Sequence, residues 1–325
     1  MVRKEWTLEE LVEGVRGADR RALARAISLV EDGDPLAYPL VRALYPETGN
    51  AAVIGVTGPP GVGKSSLIAA LVSHVRDQGR TVGVVSVDPS SPFSRGALLG
   101  DRIRLSDHFL DPGVYIRSMG TRGHLGGLAE ATLQAVLLLD ASHKDVVFVE
   151  TVGAGQSEVE VTGIADTVLL VLMPGSGDSV QALKAGIMEI PDVIAVNKMD
   201  HAAAKTMLSE VRSIVGLAEA ELRPAILLTE ALRGENVPEL WTALEEHRAA
   251  LASDGRLEER RRDNLANEVF SVASSRAKAQ LQAAVADDPA LQRVLAAVQR
   301  RELDPLSAVR QIMEEVFKLD GPHDR

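Results

Sequence analysis

A doubly wound, mostly parallel α/β sheet with helical segments at both ends is the fold class this sequence predicts, on three observations. Short Val/Ile/Leu runs alternate with longer amphipathic stretches from residue 50 to about residue 247. One of those runs leads through a Gly/Pro-rich turn directly into a helical pattern. Before residue 48 and after Trp241, apolar residues fall at helical spacing only. The 325 residues are 46% hydrophobic, ample for a full core.

Taken in order, residues 1 to about 48 read as helices. Thr7 and Glu10 have the spacing of a capping box, and Leu8, Leu11, Val12 and Val15 share one face. A second amphipathic run covers 21–30 and a third about 36–44, which predicts a helical bundle over 1–48. Strand-like runs follow near Val53 and over 82–87, 146–149, 167–172, 193–196 and 225–228. Several are continuously apolar, as strands covered on both faces must be. The α/β domain is expected over 49–252 and a helical extension over 253–325. Within the extension, 257–285 is one long helix whose charged run after Leu257 reads as a solvated face. Asp304 and Pro305 open a last helix with Leu306, Val309, Ile312, Met313, Val316 and Phe317 on its apolar side. That side must be covered, by a second subunit or by the α/β domain.

Composition narrows the chemistry. Lys and Arg total 35 against 46 Asp and Glu, a net charge of −11. This argues against nonspecific nucleic-acid binding and against an anionic membrane surface. Cys is absent, which excludes disulfides, iron–sulfur clusters and thiolate metal sites. The N-terminus is too charged for a signal peptide, and no apolar run approaches the ~18 residues of a membrane span. The expectation is a soluble, cytoplasmic protein.

Residues 58–65, GPPGVGKS, fit G-x-x-x-x-G-K-[ST] between a strand pattern and a helix pattern. Permissive residues let successive backbone N–H groups turn inward around an oxyanion, and the following helix adds its positive end. The candidate phosphate residues are Gly58, Pro59, Pro60, Gly61, Val62, Gly63, Lys64, Ser65 and Ser66. Lys64 suits the β- and γ-phosphates, and the Ser65 hydroxyl suits Mg²⁺. In open α/β sheets ligands bind beyond the carboxyl ends of strands. Asp88 and Glu150 both follow strand runs, and Asp101 lies near the start of an expected helix. Three carboxylates converging on a phosphate loop repel one another unless a cation sits among them, and Mg²⁺ answers that. Lys64, Asp88, Asp101 and Glu150 are thus the catalytic candidates, with Ser65 and the three acids as the metal set.

After another strand comes NKMD, with Asn197, Lys198 and Asp200. N-K-x-D separates guanine from adenine by hydrogen-bond polarity. The Asp200 carboxylate accepts from N1–H and the exocyclic amine, Asn197 faces N7 and O6, and the Lys198 stem covers the ring. Adenine would leave that carboxylate unpaired, at roughly 1–3 kcal/mol. Two polar loops complete the set. One holds Gly153 and Gln156 and suits a segment that responds to the γ-phosphate. The other runs from Asp178 to Lys184.

The strings GPPGVGKSS, VDPSSP, LLGDRIRL, TRGHLGG, VETVGAGQSE and NKMD, in that order, closely resemble the MeaB/ArgK group of P-loop GTPases. The resemblance runs over nearly the whole chain. It implies a P-loop NTPase fold with an N-terminal helical bundle and a C-terminal helical dimerisation extension, acting as a homodimer. It also implies slow GTP hydrolysis to GDP, stimulated by an adenosylcobalamin-dependent acyl-CoA mutase of the methylmalonyl-CoA mutase type. GTP binding and hydrolysis would gate cofactor loading and protect or reactivate that mutase. By the same likeness the loop from Asp178 to Lys184 is a switch that senses the mutase. Two departures stand out. Relatives often have Ser-Ala where this chain has Glu230 and Ala231, so that loop is left out of the expected site. Ala154 follows Gly153 where a Gln is familiar, so no water-positioning residue is assigned. Other labels in the group suggest an ATP-dependent kinase or ATPase of lysine/arginine/ornithine transport, which N-K-x-D chemistry does not support. A nickel- or cobalt-insertion GTPase shares the fold, but 7 scattered His and no Cys argue against a metal-ion cargo.

Overall fold

Residues 5–88, 105–120, 127–151, 163–175, 191–216 and 223–317 are described in the computed structural model, without the side chains of 88 and 127–129. Of the expected site, Asp101, Gly153, Gln156, Asp178 and Lys184 lie outside these residues, as does the Asp88 side chain.

Seven strands form one sheet: β1 (Ala52–Thr57), β2 (Val82–Asp88), β3 (Val114–Gly120), β4 (Val146–Thr151), β5 (Thr167–Leu172), β6 (Val193–Val196) and β7 (Ala225–Leu228). The order is β3-β2-β4-β1-β5-β6-β7, and every pairing is parallel. β1, β4, β5 and β6 are buried along their whole length, which is why each reads as an unbroken apolar run. The chain leaves β1 toward β2 on one side, then returns through β4 to β5 on the other. β1 therefore sits at the switch of winding direction, where a crevice opens at the strand tips.

One strand was not legible as an apolar run. β3, VYIRSMG, is an edge strand paired among the described residues only with β2, and Arg117 interrupts its pattern. Arg117 is not spent on water: its guanidinium forks onto the Glu31 carboxylate of helix α2 (Arg20–Glu31), Nε to Oε1 at 2.9 Å.

The ten described helices begin with α1 (Leu8–Arg16), α2 and α3 (Ala37–Leu44). Thr7 and Glu10 form the expected capping box, and Asp19 caps α2 through the N–H groups of Arg21 and Ala22. The apolar stripes of α1–α3 pack with α5 (Gly127–Ala141) on one sheet face, where Leu11, Leu23, Ile27 and Leu40 share a core with Val85, Val147 and Leu139. The opposite face is covered by α4 (Lys64–Asp77) and α7 (Val237–Ser253). There Phe148 packs near the Trp241 ring, with centroids 6.5 Å apart, and each such burial contributes about 1.5–3 kcal/mol. α6 (Ala204–Val215) covers β5 and β6 through Met207 and Val211.

The last helices are α8 (Arg256–Asp287), α9 (Pro289–Gln299) and α10 (Pro305–Phe317). The chain divides into two compact units, Met1–Glu268 and Val269–Arg325. The charged run at the start of α8 departs from the expected solvated face. Arg260 grips Asp192 with both Nη atoms, at 3.0 and 2.9 Å, and Arg261 binds Asp166 at 2.7 and 2.6 Å. Among the described residues no helix is long and apolar enough to cross a membrane.

Candidate nucleotide-binding site

The crevice is built from the tip of β1 outward. Gly58 leaves the strand at φ +139°, and a Cβ there would stand 2.1 Å from the Val171 carbonyl oxygen of β5. Only glycine fits against that neighbouring strand. Gly61 and Gly63 also take positive φ, +80° and +96°, and turn the loop into the first residues of α4. Lys64 and Ser65 are thereby buried at the helix N-terminus, where backbone donors face outward. The Lys64 ammonium donates to the carbonyls of Gly58 at 2.6 Å and Pro59 at 3.2 Å, so it lies along the inside of its own loop.

Glu150 meets this loop from β4. The parallel register sets Val56 beside Glu150 on one side and Ser86 beside it on the other. Its Oε1 accepts from Ser65 Oγ at 2.7 Å, and its Oε2 accepts from Ser86 Oγ at 3.2 Å. Next to it the Thr151 hydroxyl donates to Thr57 Oγ1 at 3.3 Å. Asp88 ends β2 two positions past Ser86, at the same edge of the sheet. Ser86 was not singled out in the sequence. Its only signal is a lone hydroxyl inside an apolar strand, and it becomes meaningful once the β2–β4 register is known.

The third wall is the turn after β6. Asn197 is buried and engaged at both ends of its amide. Its Nδ2 donates to the Val62 carbonyl at 3.0 Å, while Oδ1 accepts from Thr229 Oγ1 at 3.3 Å and from the Ala231 N–H at 3.2 Å. It therefore staples the phosphate loop to the turn after β7. A Cβ on Gly63 would come within 2.6 Å of that same Nδ2. Lys198, at φ +59°, sends its ammonium to the Gly61 carbonyl at 3.1 Å. Asp200 stands exposed at the rim, and its described side-chain partner is Glu230. The Glu230 hydrogen bond holds the Asp200 carboxyl below its usual range. Burial, then Asp200 itself, push Glu230 above its own.

The structure thus brings Glu150, Asn197 and Lys198 each into contact with the loop from Gly58 to Ser65, with Asp200 reached through the Glu230 turn. It adds Ser86, Thr229 and Glu230, which sequence reasoning did not place in the site. A hydroxyl and a buried carboxylate meeting at 2.7 Å are hard oxygen donors of the kind Mg²⁺ takes. Among the described residues, no three His, Cys, Asp or Glu side chains cluster as a metal cage.

Residues 23–286 match the sequence model of the family described as methylmalonyl-CoA mutase-associated GTPase MeaB. A Pyrococcus abyssi protein that carries a GTPase name is 44% identical over 95% of this chain and 97% of its own. GTPase ArgK of Escherichia coli is 35% identical over 95% and 97%, respectively. A Caenorhabditis elegans protein named methylmalonic aciduria type A homolog, mitochondrial, is 34% identical over 79% of this chain and 70% of its own. Among solved structures, one titled LAO/AO transport system kinase superposes with a TM-score of 0.74 at 29% identity, covering 98% of this chain and all of its own. A glycine cradle stapled to the turn after β6, and these likenesses over nearly the whole length, lead to one conclusion: the chain belongs to the MeaB/ArgK family of P-loop GTPases and is a GTPase that binds guanine nucleotides.

Proposed function

We propose that this GTPase is a chaperone of an adenosylcobalamin-dependent acyl-CoA mutase of the methylmalonyl-CoA mutase type, working in the cytoplasm as a homodimer. GTP binding and hydrolysis gate cofactor loading and protect or reactivate the mutase. The family description, which names a mutase-associated GTPase, carries the partner half of this reading. The contact of Ser65 with Glu150 beneath the glycine turn carries the nucleotide half.

The roles are those that the motifs and the family resemblance imply. Backbone N–H groups of 58–65 cradle the phosphates, and Lys64 moves from its loop carbonyls to the β- and γ-oxygens. Ser65 and Glu150, with Asp88 and Asp101, hold Mg²⁺ directly or through water. When bound, the ion neutralises charge on the β- and γ-phosphates. Asn197 keeps the base-side turn in register with the cradle, and Lys198 lies beside it. Asp200 accepts from the guanine N1–H and amine. Gly153 and Gln156 belong to the γ-phosphate-responsive loop, and Asp178 to Lys184 to the segment that answers the mutase.

The test is hydrolysis by the purified protein with GTP or ATP, with and without added mutase. GTP turnover that rises with mutase, and falls by about two to three orders of magnitude in Lys64→Ala, is expected. Equal turnover of ATP would remove the guanine reading and revive an ATP-dependent transport role. Mutase without effect on turnover or on its own reactivation would remove the chaperone role.

A further inference from the structure

Glu230 is a carboxyl where a carboxylate has almost no support. Its side chain is 5% exposed, Oε1 accepts the Leu232 N–H at 3.3 Å, and Oε2 is buried with no hydrogen-bond donor among the described residues. The backbone around it is pinned. Glu230 and Glu235 exchange N–H···O bonds at 3.1 Å in both directions, and the next N–H, that of Ala231, is held by Asn197. The Met199 N–H donates to the Thr229 carbonyl at 3.0 Å, which sets the turn carrying Asp200 against the turn carrying Glu230, and the Asp200 carboxyl is the side-chain neighbour of Glu230.

Two carboxyl groups can hydrogen-bond each other only if they share a proton. Burial favours the neutral form at Glu230, and exposure favours the charged form at Asp200. The other charged groups nearby leave this division in place. Arg233 lies close to both, but its guanidinium is paired with Glu235 at 3.7 Å. His201 acts on Asp200, and the Lys198 ammonium is turned to the Gly61 carbonyl.

We propose that Glu230 serves as a neutral acid whose O–H donates to the Asp200 carboxylate and fixes it for the two guanine N–H groups, so that guanine affinity falls when Glu230 loses its proton. This rests on the reading of Asp200 as the guanine acceptor. Glu230 is then a positioning residue. Its ionised form sets a second negative charge against the first and withdraws the donor that orients Asp200.

Titration of GDP into the full-length protein from about pH 5.5 to about pH 8 tests it, comparing wild type with Glu230→Gln, whose amide keeps the donor at every pH. The ratio of the wild-type Kd to the Glu230→Gln Kd is expected to climb with pH, by at most about tenfold per unit. Any contribution from His201 is common to both proteins and cancels. Glu230→Ala, checked for intact folding by circular dichroism, is expected to bind GDP weakly throughout. A ratio that stays constant across the range overturns the proposal, whatever Glu230→Ala does. Asp200→Asn in the same assay separates the two layers. If it gains xanthosine diphosphate binding while the ratio is flat, only the role of Glu230 falls. If it gains none, the base reading falls first.

Discussion

At the residue scale, the site depends on atoms that have no room to move. Gly58 is the clearest case: its φ excludes most side chains, and the Val171 carbonyl occupies the Cβ position. Gly58→Ala must distort β1 or β5. The expected outcome is a loss of about 2–4 kcal/mol, read by chemical denaturation, together with loss of GDP binding. Gly61→Ala meets nothing within 4 Å and carries only the backbone strain of its positive φ, so a smaller loss is expected in the same assay. This difference was not legible in the sequence, where both are glycines of one motif. The motif reports a local backbone need, whereas the Val171 contact comes from 113 positions away in the chain and depends on strand order. Glu230 is a similar case. Its sequence neighbours give no sign that the side chain is buried, because the burial depends on a turn that closes through the Glu230–Glu235 bridge.

At the scale of elements, α8 is fastened to the amino ends of the central strands, opposite the nucleotide crevice. Arg261 binds Asp166 before β5 and also the Ala51 carbonyl before β1, and Arg260 and His247 both bind Asp192 before β6. Asp166 is 2% exposed, so losing Arg261 leaves a buried charge whose described partners are Arg248 at 3.5 Å and the Val53 N–H at 3.1 Å. Arg261→Ala is expected to cost about 3 kcal/mol and lower Tm by several degrees, against about 0.5 kcal/mol or less for the exposed Arg262→Ala. A run of charges in a sequence looks alike whether it faces water or forks onto buried acids, which is why this latch reads as a solvated face until the helix is placed. Its pH dependence follows from Asp192. Burial works to raise that carboxyl, but hydrogen bonds from His247 and Arg260 outweigh it and leave the folded value depressed. The stability it contributes is present above the ordinary carboxylate value and disappears as pH falls through the folded one. Arg260→Met is therefore expected to move the midpoint of acid unfolding to higher pH, followed by tryptophan fluorescence.

At the scale of the whole molecule, the α/β architecture was legible because buried parallel strands leave continuous apolar runs and capped helices leave periodic ones. What was not legible was β3, whose edge position lets Arg117 interrupt the run and pair with α2. The unit Val269–Arg325 carries exposed Phe270, Leu306 and Val309, at 71, 81 and 57%. It also holds an apolar cavity of about 490 Å³ lined by Leu281, Val285, Leu295 and Ile312 among others. Apolar surface of this kind fits the proposed homodimer. Sedimentation equilibrium is expected to give twice the chain mass, and Phe270→Glu combined with Val309→Glu to give the single chain with GTP binding retained. A wild-type monomer at micromolar concentration would rule the dimer out.

The Asn197 amide, seated between Val62 and the Thr229–Ala231 turn, has a further implication for how such an enzyme can be changed. Transplanting an adenine-selective turn at 197–200 would unpin the triphosphate grip along with the base pocket. Preference for one purine in this scaffold is therefore not a detachable module: it can be re-engineered only by altering both ends of the ligand's berth together, and separate changes at Val62 and Asn197 should prove strongly non-additive.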